Sequence, residues 1–222
     1  MNLTKFYEII RTTQWSVSHG AVLHCENSVI TKFAGLAPLY FSLIYTMRSK
    51  RCVCLGSGAG FVPKIMTYAQ NVLIEEKLIS DYDVSLVDAD LPGWGDRIYA
   101  DHIEGYPEIK LINKTTDEAA DLFNDISYLH VDADHSEQQV YKDLCNYGSR
   151  MKQKNWIITC HDTHSPLETT HGIGVYNSVK RWAQENNHDL VNFPIGFGTA
   201  LIMPRIDGRS NEYFNSYIVP EI

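Results

Sequence analysis

One stretch, Arg51-Cys-Val-Cys-Leu-Gly-Ser-Gly-Ala-Gly-Phe-Val-Pro63, constrains this chain more than any other. Residues 52–55 are a short apolar run of the length of a buried strand. The run opens into Gly56-x-Gly58-x-Gly60, and residues 61–70 follow with helix-forming composition. Glycines at a strand-to-helix turn let the backbone bend and approach a ligand without a side-chain clash. Alone, such a triplet also makes ordinary loops. Here a second apolar run, Val84-Ser-Leu-Val-Asp88, ends in a carboxylate 32 positions after Gly56. An acid at the tip of the next strand is where Rossmann-like sites hold a ribose diol.

Spacing separates the ligand classes. Dinucleotide folds place Gly-x-Gly-x-x-Gly at the turn and the acid about 20 residues on. In this chain the third glycine is one residue early and the acid is late. No Gly-Lys-Ser/Thr follows to cradle a triphosphate. A compact turn with a distant acid suits a nucleoside without a pyrophosphate. On these residues, Leu55-Gly-Ser-Gly-Ala-Gly60 and Asp88, the chain resembles the class I S-adenosylmethionine (SAM)-dependent methyltransferases. The resemblance implies SAM as cofactor, with Gly56, Ser57, Gly58 and Gly60 in its loop and Asp88 and Ala89 at the ribose. It also implies Asp117, just after the third strand, toward the adenine, where a simple helix cap is the competing role, and Asp132 at the rim.

The pattern along the chain agrees. Apolar runs at 51–55, 83–88, 109–113, 126–132 and 156–160 alternate with helical stretches at 61–71, 116–123, 138–151 and 175–186. Residues 189–194 and 199–203 flank Ile195-Gly-Phe-Gly198 as a hairpin. The fold class expected is α/β: a Rossmann-like, doubly wound, mostly parallel seven-stranded sheet with a C-terminal antiparallel hairpin. Before it, residues 3–12 have helical periodicity, and residues 28–48 read as one longer helix, kinked or broken at Pro38. We divide the chain into an N-terminal extension, 1–27, and a methyltransferase domain, 28–222. Residues 90–106, rich in Gly, Pro, Asp and aromatics, read as an irregular loop.

Composition excludes some partners. The 222 residues carry a net charge of −8 and show no Lys/Arg run, which argues against nucleic acid as a partner. The most apolar stretch, 33–47, contains Pro38 and is short for a membrane span. Five cysteines without a paired framework, mostly in apolar runs, point to a reducing compartment and a cytoplasmic protein. The apolar N-terminal helices offer a surface for a homo-oligomer.

Chemistry gathers in two further segments, Tyr128-Leu-His-Val-Asp132-Ala-Asp-His135-Ser136 and Ile157-Ile-Thr-Cys-His161-Asp162-Thr-His164. Each lies at the carboxyl end of an expected parallel strand, where open α/β sheets bind ligands. Carboxylates from adjacent strands make a site for a hard cation such as Mg2+ or Mn2+. Such a cation lowers the pKa of a bound hydroxyl, and a nearby histidine takes the proton. The pattern is similar to metal-dependent O-methyltransferases of the catechol type, and closer to bacterial relatives that methylate macrolide sugars. Asp132-Ala-Asp-His135 matches their Asp-x-x-His, which implies catalytic roles for Asp132 and for His135 as general base. Where those relatives have an acidic pair, this chain has His161-Asp162. The implied metal set is therefore Asp132, His161 and Asp162, and an imidazole ligand favours Mn2+, Fe2+ or Zn2+ over Mg2+. His130, inside its strand, reads as a core histidine, and Asp134 as a helix cap. The expected acceptor is a small molecule or sugar.

Two other readings remain at this stage. Asp88-Ala-Asp90 resembles the Asp-x-Asp of sugar-nucleotide-dependent glycosyltransferases, which have no need of the earlier glycine turn. Replacement of one acid by His161 also fits a fold that binds SAM without catalysis.

Overall fold

In the computed structural model the structure describes residues 3–13, 16, 18–26, 29–56, 58–89, 102–152, 154–164 and 172–205. A seven-stranded sheet organises them. Its strands are β3 (Cys52–Leu55), β4 (Val84–Val87), β5 (Ile109–Ile112), β6 (Tyr128–Val131), β7 (Ile157–His161), β8 (His188–Phe193) and β9 (Thr199–Pro204). They lie in the order β5-β4-β3-β6-β7-β9-β8. The first five are parallel, and β9 joins β7 and β8 antiparallel. This is the mixed sheet and terminal hairpin expected from the apolar runs.

Burial on both faces explains why the parallel strands read as continuous apolar runs rather than alternating ones. Helices α2 (Ala37–Thr46) and α3 (Phe61–Glu75) cover one face together with α1 (Leu3–Thr12). There Tyr40, Ile44, Phe61, Ile65 and Met66 are buried with Cys52, Cys54 and Tyr128 from the strands. Helices α4 (Thr116–Ala119), α5 (Glu137–Gly148) and α6 (Gly172–Glu185) cover the other, where Leu144, Tyr147, Val179 and Trp182 meet Val53, Leu55, Leu129 and Ile158. Each such side chain contributes about 1.5–3 kcal/mol when fully buried. Cys52, Cys54 and Cys160 are buried free thiols, and burial pushes each of them up from its ordinary pKa.

Gln70, buried in this core, finds polar partners for its amide. Gln70 on α3 donates to the carbonyls of Ser49 (3.1 Å) and Lys50 (2.9 Å) and accepts from the Asp83 N–H (2.9 Å). One buried amide thus fixes the entries to both β3 and β4.

The segment before β3 corrects the expected long helix over 28–48. Residues Ala21–Glu26 (β1) and Val29–Ala34 (β2) form an antiparallel two-stranded sheet, and only Ala37–Thr46 is helical. The β-branched run Val29-Ile30-Thr31 favours a strand. Gly35, at φ 56°, ends it in the left-handed conformation. Pro38 neither kinks nor breaks α2 but sits in its first turn, where its missing N–H is no loss. The helix expected over 116–123 is present, with Thr116–Ala119 α-helical and Ala120–Leu122 continuing as a 3-10 turn. It is capped by Thr115, one residue before the expected cap, in a capping box with Glu118.

Candidate functional site

The order of the sheet reverses between β3 and β6, because the chain runs outward from β3 through β4 to β5 and then returns to the other side of β3. A crevice forms outside the carboxyl ends of the strands at such a switch. Gly56 leaves β3 there at φ 83°, and a Cβ on it would run into the Asp132 carbonyl at the end of β6. The Asp132 N–H donates to the Leu55 carbonyl at 2.8 Å. Glycine is what allows the two strand ends to close on each other. Gly60, also left-handed at φ 80°, leads into α3, which no side chain caps. Asp88 and Ala89, both half-buried, follow β4 on the same rim. Asp117, in α4, is engaged by Lys142 (2.7 Å) and Asn146 (3.3 Å) of α5. Ser57, Asp90 and Trp94 lie outside the described residues.

Five titratable side chains meet around Asp132. His135 Nε2 is 3.6 Å from Asp132 Oδ1 and 2.8 Å from Asp162 Oδ2. His161 Nδ1 is 3.2 Å from Asp132 Oδ1 and 3.4 Å from Asp162 Oδ2. On the protein side, His19 Nε2 and His130 Nε2 stand 4.0 and 3.9 Å from Asp132 Oδ2. The His19 and His161 rings stack with centroids 3.9 Å apart. Asp162 takes φ 58°, a left-handed conformation that turns the chain at the end of β7. Ligand atoms within 4.8 Å of one another form two sets sharing the central carboxylate, His19/Asp132/His161 and Asp132/His135/Asp162.

Contact decides the charges. Burial alone would raise the pKa of Asp132, but the His161 charge and hydrogen bonds from His135 and His161 hold it well below the usual range. Burial opposes charge on His161 too, yet Asp132, followed by a hydrogen bond to Asp162, raises it to about 10. His135 reaches about 10 for the same reasons, against its own burial. Asp162 is drawn down to about 2 by His135 and His161 despite its burial. His19 and His130 have no such hydrogen bond: burial lowers His19 well below its ordinary value and His130 to about 4. Four groups form two compensated charge pairs, and two imidazoles stay neutral.

The rim thus gathers Asp132, His135, His161 and Asp162 from the two expected segments. His130 is fully buried, as expected of a core histidine, yet its ring turns one nitrogen toward Asp132. Asp134 accepts from the Ser136 N–H at 2.6 Å, while Ser136 rather than Asp134 caps α5. His19 was missed. It is placed through the backbone: the Ser18 carbonyl accepts from Phe197 N–H (2.9 Å) in the β8–β9 turn and from His161 Nε2–H (3.2 Å). The His19 carbonyl accepts from Leu36 N–H at 2.9 Å. The Ser18-His19-Gly20 tripeptide was the available signal, since a glycine beside a polar residue marks a close turn.

No family model matches the chain, and no curated protein matches it. Solved structures do. It is similar to the SAH-bound methyltransferase PaMTH1 of Podospora anserina, with 10% identity, TM-score 0.60, and 92% of this chain and 87% of that one covered. A putative caffeoyl-CoA O-methyltransferase from Staphylococcus aureus gives 10% identity, TM-score 0.60, and coverage of 92% and 100%. An O-methyltransferase from Bacillus cereus in complex with SAH gives 7% identity, TM-score 0.57, and coverage of 90% of each chain. With the strand order, the glycine turn at the switch point and the antiparallel ending, these likenesses show that the chain has the fold of the class I SAM-dependent methyltransferases.

Proposed function

We propose that the chain transfers the methyl group of SAM to a hydroxyl of a small molecule or sugar, assisted by a divalent cation. One observation carries this reading: the glycine turn after β3 and the carboxylate cluster after β6 and β7 meet at the switch point of a methyltransferase-type sheet. Two of the similar structures hold SAH, which supports a nucleoside at this turn. Residues 56–60 would cradle the cofactor, with Asp88 and Ala89 at the ribose and Asp117 on the adenine side. Asp132, His161 and Asp162 offer two carboxylates and an imidazole, with His161 Nδ1 3.2 and 3.4 Å from the two acids, a donor set that fits a divalent cation. A cation bound there would lower the pKa of a substrate hydroxyl.

The rest follows from the side chains. Asp132 and Asp162 bracket His135, whose side chain is 24% exposed and so within reach of an acceptor. With both carboxylates free to pair with it, His135 keeps its proton up to about 10 and cannot act as a base at neutral pH. It becomes a base when the charge of those carboxylates is taken up elsewhere. Alignment of the acceptor oxygen with the methyl sulfonium then supplies the remaining rate. A glycosyltransferase has no use for the closure of Gly56 onto Asp132.

Calorimetric titration with S-adenosylhomocysteine, with and without Mg2+ or Mn2+, tests the reading. Micromolar binding is expected. Absence of binding under every condition overturns it and directs attention to sugar nucleotides.

A further inference from the structure

Three buried histidines around Asp132 share a feature that charge pairing does not explain. Each is tethered at one ring nitrogen and turns the other toward the same carboxylate. His161 Nε2 sits 3.2 Å from the Ser18 carbonyl, which can only accept, so that nitrogen carries the proton and Nδ1 faces Asp132. His130 Nδ1 sits 2.8 Å from the Thr159 hydroxyl, which lies 2.9 Å from the Tyr128 hydroxyl and 3.4 Å from the Leu129 carbonyl. We assign the His130 proton to Nδ1, facing Thr159, which leaves Nε2 as the lone-pair nitrogen. His19 Nδ1 sits 3.0 Å from the Tyr40 hydroxyl, itself 2.9 Å from Thr199, and we assign the same tautomer. Both Nε2 atoms are buried and have no hydrogen-bond partner among the described residues. A bare lone pair facing a carboxylate in a dry interior is destabilising unless something fills the gap between them.

We infer that His19 joins His161 and Asp132 in a two-histidine, one-carboxylate site for a first-row transition metal such as Fe2+, Mn2+ or Zn2+, with His130 packed against the same carboxylate. The tethers are the arrangement metal-binding histidines use, since an outer N–H bond fixes the tautomer and aims the ring. The gaps also fit. Ligand atoms about 2.0–2.2 Å from a shared metal stand roughly 3–4 Å from each other. Here the inner nitrogens of His19 and His161 lie 4.0 and 3.2 Å from Asp132 oxygens, and one ligand atom from each of the three residues lies within 4.8 Å of the others. Imidazole donors select against Mg2+, which prefers oxygen and keeps its waters. The inference deepens the reading of Asp132 and His161 as cation ligands, and it can be tested apart from methyl transfer.

The experiment titrates chelator-treated protein with Co2+, Zn2+ and Mg2+, following Co2+ by its ligand-field absorption and each metal by calorimetry. One equivalent of Co2+ or Zn2+ is expected to bind at least tenfold more tightly than Mg2+. His19→Gln should weaken Co2+ at least tenfold and alter its bands, with affinity for S-adenosylhomocysteine unchanged as the check on folding. If His19→Gln does not fold, Tyr40→Phe carries the test, with a 10–100-fold loss expected for an outer tether. Equal affinity for Mg2+, no Co2+ uptake, or native Co2+ affinity in folded His19→Gln would overturn the inference. Co2+ bound with imidazole-type bands in a protein that binds no S-adenosylhomocysteine would support the metal site and overturn methyl transfer.

Discussion

Asp132 and Asp143 are both buried carboxylates, and they have opposite chemistry. Asp132, at the rim, is ringed by four histidines and held well below the ordinary carboxylate range against its own burial. Asp143, on α5, has only neutral donors. Gln139 bonds its Oδ1 at 2.9 Å, Thr116 also contributes, and the nearest charges are the acids Asp117 and Asp134. Burial therefore dominates there and raises it to about 6. The interior does not set the charge of a group; its partners do. A carboxylate surrounded by imidazoles that pair with it stays ionised, whereas one surrounded by amides and hydroxyls is a structural group with a residual penalty.

Removing the central charge should have the largest effect. Asp132→Asn leaves the His161 and His135 imidazoliums short of a partner, at about 3–5 kcal/mol of stability. Methyl transfer should fall by ~10³-fold. Denaturant unfolding and turnover measure the two losses, and native values in both would erase the contrast. Asp143→Asn should act in the opposite direction. A pKa raised in the folded state contributes stability that is complete below the unfolded value and is lost as pH rises through the folded one, here across about pH 4 to 6. The variant should match the native protein near pH 4 and exceed it by about 2–3 kcal/mol near pH 8, at 1.36 kcal/mol per unit. A pH series of unfolding free energies decides this, and a difference that does not grow with pH counts against a raised Asp143.

Smaller effects sharpen the same comparison. Asp88→Ala, on the rim but outside the histidine ring, should weaken S-adenosylhomocysteine by roughly 10–100-fold through one lost charged hydrogen bond, with Co2+ affinity unchanged. Unaltered cofactor affinity would remove Asp88 from the ribose. Thr115→Ala opens the capping box of α4 and should lower stability by about 1 kcal/mol without moving cofactor or metal affinity. Loss of binding in that variant would mean that destabilisation alone disables the rim, and the Asp132 result would need another reading.

Much of the fold was legible because strands buried on both faces declare themselves as apolar runs, as 52–55, 84–87 and 128–131 do. Polar residues at the ends of such runs must face a rim, so Asp132, His161 and Asp162 were found together. Residues 28–48 misled because their apolar content is similar for a strand followed by a helix and for one helix, and the break rests on Gly35 alone. His19 was hidden for a different reason. It reaches Asp132 through main-chain bonds to Phe197, His161 and Leu36, and main-chain groups are the same in every residue. His130 was legible as a core histidine, but its tether, Thr159 of a neighbouring strand, was not.

The Ser18 carbonyl has a consequence for synthesis. It accepts from His161, 143 positions away, and from the Phe197 N–H in the last hairpin. A nascent chain can pair β3 with β4 soon after both emerge, but it cannot seat His19 until the β8–β9 turn has formed. Until then the rim carboxylates lack one wall, and the unfinished chain has sheet without site. Loop closure of that span is slow relative to local helix formation. Clipping near residue 18 or near residue 197 should therefore disable the same centre, although the two cuts lie at opposite ends of the sequence.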